Sequence, residues 1–338
     1  VKDDLLGDLL RRVSRSFYLS LTILPSPLRE PIGLAYVLAR AADTVADTRA
    51  VPRPDRLALL GALRRAYAGE GADPTAVATA VLAHQADAAE RALLGRIGEA
   101  LGRVARLPAL DRAAVRNVLA TLTAGMIFDL ERFSGEDASA LASLETLEEL
   151  DHYTYLVAGC VGPFWTALHV AHRPRLAGWD VTAMSARGIR FGKALQMTNV
   201  LRDAPRDLRA GRCYLPAQEL AVLGLAPRDL LDPAAASRAR PLLARLLALT
   251  LEHYDVAWQY TLAIPRAEWR MRLACVWPLL IGLGTLRAIE AHPAPLTADP
   301  PVKIPRRAVR ALVGRSLPII CWDRALERQA ARARPVIR

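Results

Sequence analysis

Two aspartate pairs constrain this chain more than any other feature. One is Asp43 and Asp47 in Asp43-Thr44-Val45-Ala46-Asp47; the other is Asp203 and Asp207 in Asn199-Val200-Leu201-Arg202-Asp203-Ala204-Pro205-Arg206-Asp207, 160 positions further on. Four residues make roughly one turn of α-helix, so each pair sends both carboxylates from one helix face. On a solvated face such a pair is mildly repulsive, by about 0.2–0.5 kcal/mol. Asp43, however, follows a nearly unbroken apolar run from Ile32 to Ala42. A pair placed there is expected to face a cavity or the core rather than open water. Buried charge without compensation is very unfavourable, so a metal or a cationic partner is implied. Two such faces turned together would offer hard oxygen ligands to a magnesium ion holding a diphosphate. Arg40 and Arg202 stand three and one residues before their aspartates. The planar guanidinium fork suits phosphate oxygens.

The same pairs bear on architecture. Lying far apart in sequence, they have to meet in space to share a metal, which predicts one domain over residues 1–338 folded around a central apolar cavity. Apolar residues recur at i, i+3, i+4 and i+7, and the stretches 57–67, 113–133 and 242–263 read as helices. The 14 residues from Leu273 to Leu286 form the most apolar stretch. That is short for a bilayer span and reads as a buried helix. No series of alternating strands, internal repeat or glycine-rich phosphate loop is visible, so the expected fold class is all-α. With 52 % hydrophobic and 23 % charged residues, the chain is globular rather than disordered.

Four blocks together resemble the squalene and phytoene synthases, the head-to-head prenyl transferases. They are Ser14-Arg15-Ser16-Phe17, the segment from Tyr36 to Asp47, Tyr153-Thr154-Tyr155-Leu156-Val157-Ala158-Gly159-Cys160-Val161-Gly162, and Gln196 to Asp203 with Asp207, Gly211 and Arg212. They occur in the family's order and spacing. A weaker echo, Val302-Lys303-Ile304-Pro305-Arg306-Arg307, is similar to a late segment of squalene synthases. Two departures stand out. Family members often carry an acidic residue just before the last Asp of each motif, where this chain has Ala46 and Arg206. Pro205, inside the second motif, removes a backbone donor and is expected to kink the helix near Asp203.

The resemblance implies roles. Asp43, Asp47, Asp203 and Asp207 would hold Mg2+ and take part in catalysis. Arg15, Arg40, Arg202 and Arg212, with Ser14, Tyr36, Gln196 and Asn199, would meet the diphosphate of farnesyl diphosphate. Tyr153 would handle a proton near the reacting carbons, and Lys303 would meet a phosphate of NADPH. Gly159 and Gly162 would let helices approach closely, and Phe164, Trp165 and the 273–286 helix are candidates to line an apolar tunnel. The implied reaction joins two farnesyl diphosphates into presqualene diphosphate, which squalene synthases reduce with NADPH. Dehydrosqualene and phytoene synthases lose a proton instead. The Val302-Lys303-Ile304 echo favours squalene synthase. A presqualene diphosphate, dehydrosqualene or phytoene synthase is the alternative. A non-catalytic binding or assembly protein of the same superfamily would be expected to lose the aspartates, and all four are present.

Composition narrows the partners. Cys160, Cys213, Cys275 and Cys321 are widely spaced, without zinc-like pairing or a disulfide framework, as in a reduced compartment. His169 and His172, three apart, read as core or surface residues rather than metal ligands. No signal-peptide-like apolar core follows Lys2. The expected location is therefore cytoplasmic, peripheral at the inner face of a membrane. The net charge is +11, and ten Lys/Arg against Asp323 and Glu327 fall between Lys303 and Arg338. That basic C-terminal segment, from about 303, is expected to meet anionic lipid headgroups. Aromatic residues are not interleaved with it in the manner of a nucleic-acid reader, so no nucleic-acid partner is expected.

Overall fold

The computed structural model describes residues 5–14, 17–71 and 73–336, with backbone alone for Phe17 and Leu19. Helices dominate. The one sheet among the described residues is a two-residue parallel pair, Ala142–Ser143 with Arg212–Cys213. Contacts divide the chain into two compact units. One comprises residues 1–130 and 163–185, the other 131–162 and 186–338.

The first unit is organised by the helix Ser26–Asp47, the first-motif helix. Pro27 sits in its opening turn, where a missing amide hydrogen does no harm. Leu28, Ile32, Leu34, Leu38 and Val45 are buried along it. Helices Arg53–Ala68, Ala88–Leu94 and Ile97–Arg106 pack against it. Tyr67, on the first of these, donates its hydroxyl to the Leu38 carbonyl at 2.8 Å. Arg56, 2 % exposed, donates to the Ala46 carbonyl at 2.8 Å and so closes the end of the first-motif helix with a cation. The helix Ala109–Arg132 contains the predicted 113–133 stretch except Phe133, which lies one residue past its end.

In the second unit, three long helices make the core: Val181–Arg209 (the second-motif helix, in this unit from residue 186), Arg240–Ala263 and Trp269–Ala291. Tyr254 ties them together. Its hydroxyl bonds Thr198 at 2.9 Å, and a Cβ on Gly282 would lie 1.8 Å from the same oxygen, so glycine is required there. The second-motif helix continues through Pro205 to Arg209 as one helix. Helix Leu147–Thr154, capped by the Thr146 hydroxyl on the Glu149 amide at 3.1 Å, runs into a π-helical turn at Tyr155–Gly159 and then helix Val161–His172.

The 273–286 stretch is the centre of a longer helical element than its apolar run indicates. Residues 266–291 are long and apolar enough to cross a membrane, as are 109–132 and 147–172, by length and composition. Within this unit, Leu273, Val276, Leu279, Leu280, Leu283 and Leu286 are buried, as expected for that stretch.

Candidate active site

The first-motif helix carries Tyr36, Arg40, Asp43 and Asp47 at steps of four, three and four, which puts them on one face. Arg40 reaches two carboxylates, those of Asp43 and Glu90. Glu90 is held firmly. Asp87 caps its helix by accepting from the amides of Ala89 and Glu90 at 2.7 and 3.0 Å. The Gln85 amide donates to Glu90 at 3.0 Å and to the Thr48 hydroxyl at 3.2 Å. Partial burial, then the like charge of Asp47, hold the Asp43 carboxyl above the usual carboxylate range, while Arg40 pulls it back. The pair is more open than its apolar approach indicates: the Asp43 side chain is 40 % exposed and Asp47 is exposed. The cause is position, since Asp47 is the last residue of the helix.

On the second-motif helix, Gln196, Asn199, Asp203 and Asp207 follow at steps of three, four and four, again on one face. Asn199 donates to the Gln196 side-chain oxygen at 3.2 Å. Arg202 donates through Nε to Asp203 at 2.9 Å. Arg206 sits 3.9 Å from Asp203 and 3.7 Å from Asp207. Both aspartates are largely buried, at 14 % and 17 % side-chain exposure, whereas Arg206 is 68 % exposed. The two motifs therefore differ in charge. The first sets three carboxylates against one guanidinium, and the second two against two.

Tyr153 is 6 % exposed and stacks on Tyr214, with ring centroids 4.8 Å apart. Tyr214 in turn meets Phe133 edge-on at 4.9 Å. Tyr214 follows the strand Arg212–Cys213 directly, so the strand pair that fixes Arg212 also delivers the ring beneath Tyr153. One stripe step before Gln196, Lys193 bonds Asp151 at 2.6 Å and anchors the helix that carries Tyr153. Gly162 and Gly188 touch: a Cβ on Gly162 would lie 2.1 Å from the Gly188 carbonyl carbon. On Gly192 it would lie 2.3 Å from the Ala158 oxygen. The close approach expected of Gly162 is present, and Gly188 and Gly192 supply the partner surface.

Ser14 is buried, its hydroxyl without a hydrogen-bond partner among the described residues, and Arg15 lies outside them. Lys303 is exposed on the coil before helix Arg306–Ser316. His169 is fully buried, its Nδ1–H donating to the Trp165 carbonyl at 2.7 Å, and its ring is pushed down to about 3, chiefly by burial. His172 bonds both oxygens of Asp111 at 2.9 Å. Glu90 and Lys193 are the residues that sequence reasoning missed. Glu90 reaches Arg40 across 50 positions, and no local pattern marks such a contact.

The donor set suits a hard cation. Each motif presents two carboxylates one turn apart, and at the first the nearby Glu90 leaves negative charge in excess of Arg40. Among the described residues no three His, Cys, Asp or Glu side chains form a ready-made cation site. Phosphate oxygens and water would complete the shell of a magnesium ion bound there. Lys303 alone makes no cofactor cradle.

The squalene/phytoene synthase profile matches residues 10–308. A bifunctional lycopene cyclase/phytoene synthase of Colletotrichum graminicola is 30 % identical over 249 residues, covering 73 % of this chain and 40 % of that protein. A squalene synthase of Schizosaccharomyces pombe is 25 % identical over 285 residues, covering 84 % of this chain and 59 % of that protein. The chain thus spans between two and three fifths of the length of these two curated relatives. Among solved structures, the complex of TcSQS with the ligand BPH1237 shares the fold at a TM-score of 0.76 and 22 % identity, over 96 % of this chain and 88 % of that one. With the profile spanning nearly its whole length, the chain belongs to the squalene/phytoene synthase family.

Proposed function

We propose that this protein is a squalene synthase. It would join two farnesyl diphosphates head to head into presqualene diphosphate with magnesium, then reduce that product to squalene with NADPH. Family membership carries the coarser statement, head-to-head prenyl transfer on prenyl diphosphates. The observation that supports catalysis in this chain is the retention of both aspartate pairs, each on one helix face with a guanidinium beside it. Both units are read as one catalytic domain.

In this reading each motif holds the diphosphate of a substrate. Bound to the carboxylates, magnesium supplies Lewis-acid stabilisation of charge growing on the leaving diphosphate. Arg40 and Arg202, now bonded to Asp43, Glu90 and Asp203, would turn N–H donors to the same oxygens, and Arg15 and Arg212 would add to them. Gln196 and Asn199 contribute neutral donors on the stripe that carries Asp203. Tyr36 shares the face of Arg40, and Ser14 offers its hydroxyl. The buried Tyr153 phenol relays the proton lost as the cyclopropane closes towards the departing diphosphate. Lys303 is the cation proposed to meet a cofactor phosphate.

The phytoene synthase activity in the name of the Colletotrichum relative supports a second reading, an enzyme that ends without reduction. Incubation with farnesyl or geranylgeranyl diphosphate and magnesium, with and without NADPH, separates the two. Squalene formed from farnesyl diphosphate only when NADPH is present supports the first reading. Phytoene, or dehydrosqualene formed regardless of NADPH, replaces it with the second.

A further inference from the structure

The basic C-terminal segment is not a loose tail. Helix Asp323–Ala333 buries Leu326, Ala330 and Ala333. Its first residue, Asp323, meets both Arg266 and the fully buried Arg272. Gln329 donates to the Leu312 carbonyl at 2.9 Å, and Arg287 donates to the Arg332 carbonyl at 2.8 Å. Residues 326–334 thus dock one face on their own unit, with Arg328 and Arg332 exposed.

What is left outward is the knuckle that joins this helix to Arg306–Ser316. Trp277 Nε1 donates to the Ser316 hydroxyl at 3.0 Å, and the amides of Ile319 and Trp322 close successive turns on the carbonyls of Ser316 and Ile319. Ile320 points inward at 7 % exposure, while Leu317 is 49 % and Trp322 66 % exposed. Beside the knuckle lies the start of the 269–291 helix. Cys321 Sγ approaches the Arg266 carbonyl at 3.7 Å and Arg266 bonds Asp323, which brings Trp269, 42 % exposed under the Arg270 guanidinium, to the same area. Arg270, Arg315 and Arg324, each within two residues of Trp269, Leu317 or Trp322, are exposed, and the nearby Asp323 is already bonded to arginines.

We infer that this knuckle is a docking surface for an anionic lipid bilayer. Indole rings settle at the headgroup level, a leucine inserts just below it, and the exposed arginines pair with lipid phosphates. Each cation near an anionic surface adds about fivefold in affinity, and salt screens the attraction over a Debye length of about 8 Å. Charge complementarity selects lipid over a second copy of the chain. Two copies meeting here would bring arginine against arginine. The inference rests on the surface alone and holds for either polyprenyl product.

Flotation with vesicles tests it without substrate, so its outcome is separate from that of the turnover assay. The full chain is mixed with vesicles of phosphatidylglycerol and phosphatidylcholine, or of phosphatidylcholine alone, at low and high salt. The wild type floats with the anionic vesicles, and less so as salt rises. The exposed double variant Leu317→Ser/Trp322→Ser loses about tenfold in partitioning, and Arg315→Gln/Arg324→Gln loses the salt-sensitive part; both keep wild-type circular dichroism. Equal flotation by wild type and the apolar double variant overturns the inference. So does a wild-type dimer in gel filtration that the same variant dissolves, since the occupant is then a second copy.

Discussion

Glu90 brings a third carboxylate to the first motif. It comes from a neighbouring helix and shares Arg40 with Asp43. By sharing that guanidinium, Glu90 keeps Arg40 from neutralising Asp43 completely. In Glu90→Gln the guanidinium turns fully onto Asp43, and the first motif becomes a poorer cation site. The expected result is a rise of about threefold or more in the magnesium concentration that half-saturates pyrophosphate binding. Glu90→Asp recovers part of it. Calorimetric titration measures both, and an unchanged magnesium requirement in Glu90→Gln contradicts this role. Arg206 makes the opposite change in the second motif. There Arg202 and Arg206 balance the charges of Asp203 and Asp207.

At the scale of elements, the crossing of the second-motif helix over the Tyr155–Gly162 turn sets the distance between the Gln196–Asp207 stripe and Tyr153. That crossing depends on missing side chains. In Gly192→Ala the new methyl meets the Ala158 oxygen at 2.3 Å and the Gly159 Cα at 2.8 Å, so the helices must part. Overpacking of this kind costs about 1–3 kcal/mol. A thermal melt should show the loss, whereas Gly314→Ala, with nothing within 4 Å, should leave the melting temperature unchanged or slightly raised. Equal melts for the two variants contradict the crossing account.

The Val161–His172 helix carries a pH signature. His169 is neutral when folded, held down to about 3 by burial, and titrates near 6.5 when unfolded. Its contribution to stability is complete above about pH 6.5 and is lost as pH falls towards 3. Between pH 7 and pH 5 this side chain alone removes about 2 kcal/mol. Denaturant titration should therefore give a steeper acid limb for the wild type than for His169→Gln. Parallel limbs contradict the assignment. Helices were the part of the fold most open to sequence reasoning, because the 57–67, 113–133 and 242–263 stretches carry strong periodicity. The 147–172 segment was harder, since a π-helical turn interrupts its rhythm.

Across the whole molecule, what was legible in the sequence is what local pattern encodes. The aspartate pairs, their arginines and the Gln196–Asn199 stripe could be placed on helix faces from spacing alone. Glu90 could not, because its link to Arg40 depends on packing between helices. The openness of Asp47 followed from where its helix stops, and periodicity marks helix ends poorly. The basic segment was legible as charge but not as shape. Its far end is packed, and its apolar middle is turned outward.

The central claim is that both aspartate pairs serve magnesium-dependent ionisation of a prenyl diphosphate. Its most direct test is turnover of farnesyl diphosphate by the wild type, Asp43→Asn and Asp207→Asn at saturating magnesium, with circular dichroism taken on the same samples. Each variant removes one carboxylate charge without changing side-chain volume. The expected result is wild-type helix content in both and a fall in turnover of about a hundredfold or more, the scale of losing a group that stabilises transition-state charge. Wild-type turnover in both variants contradicts the account.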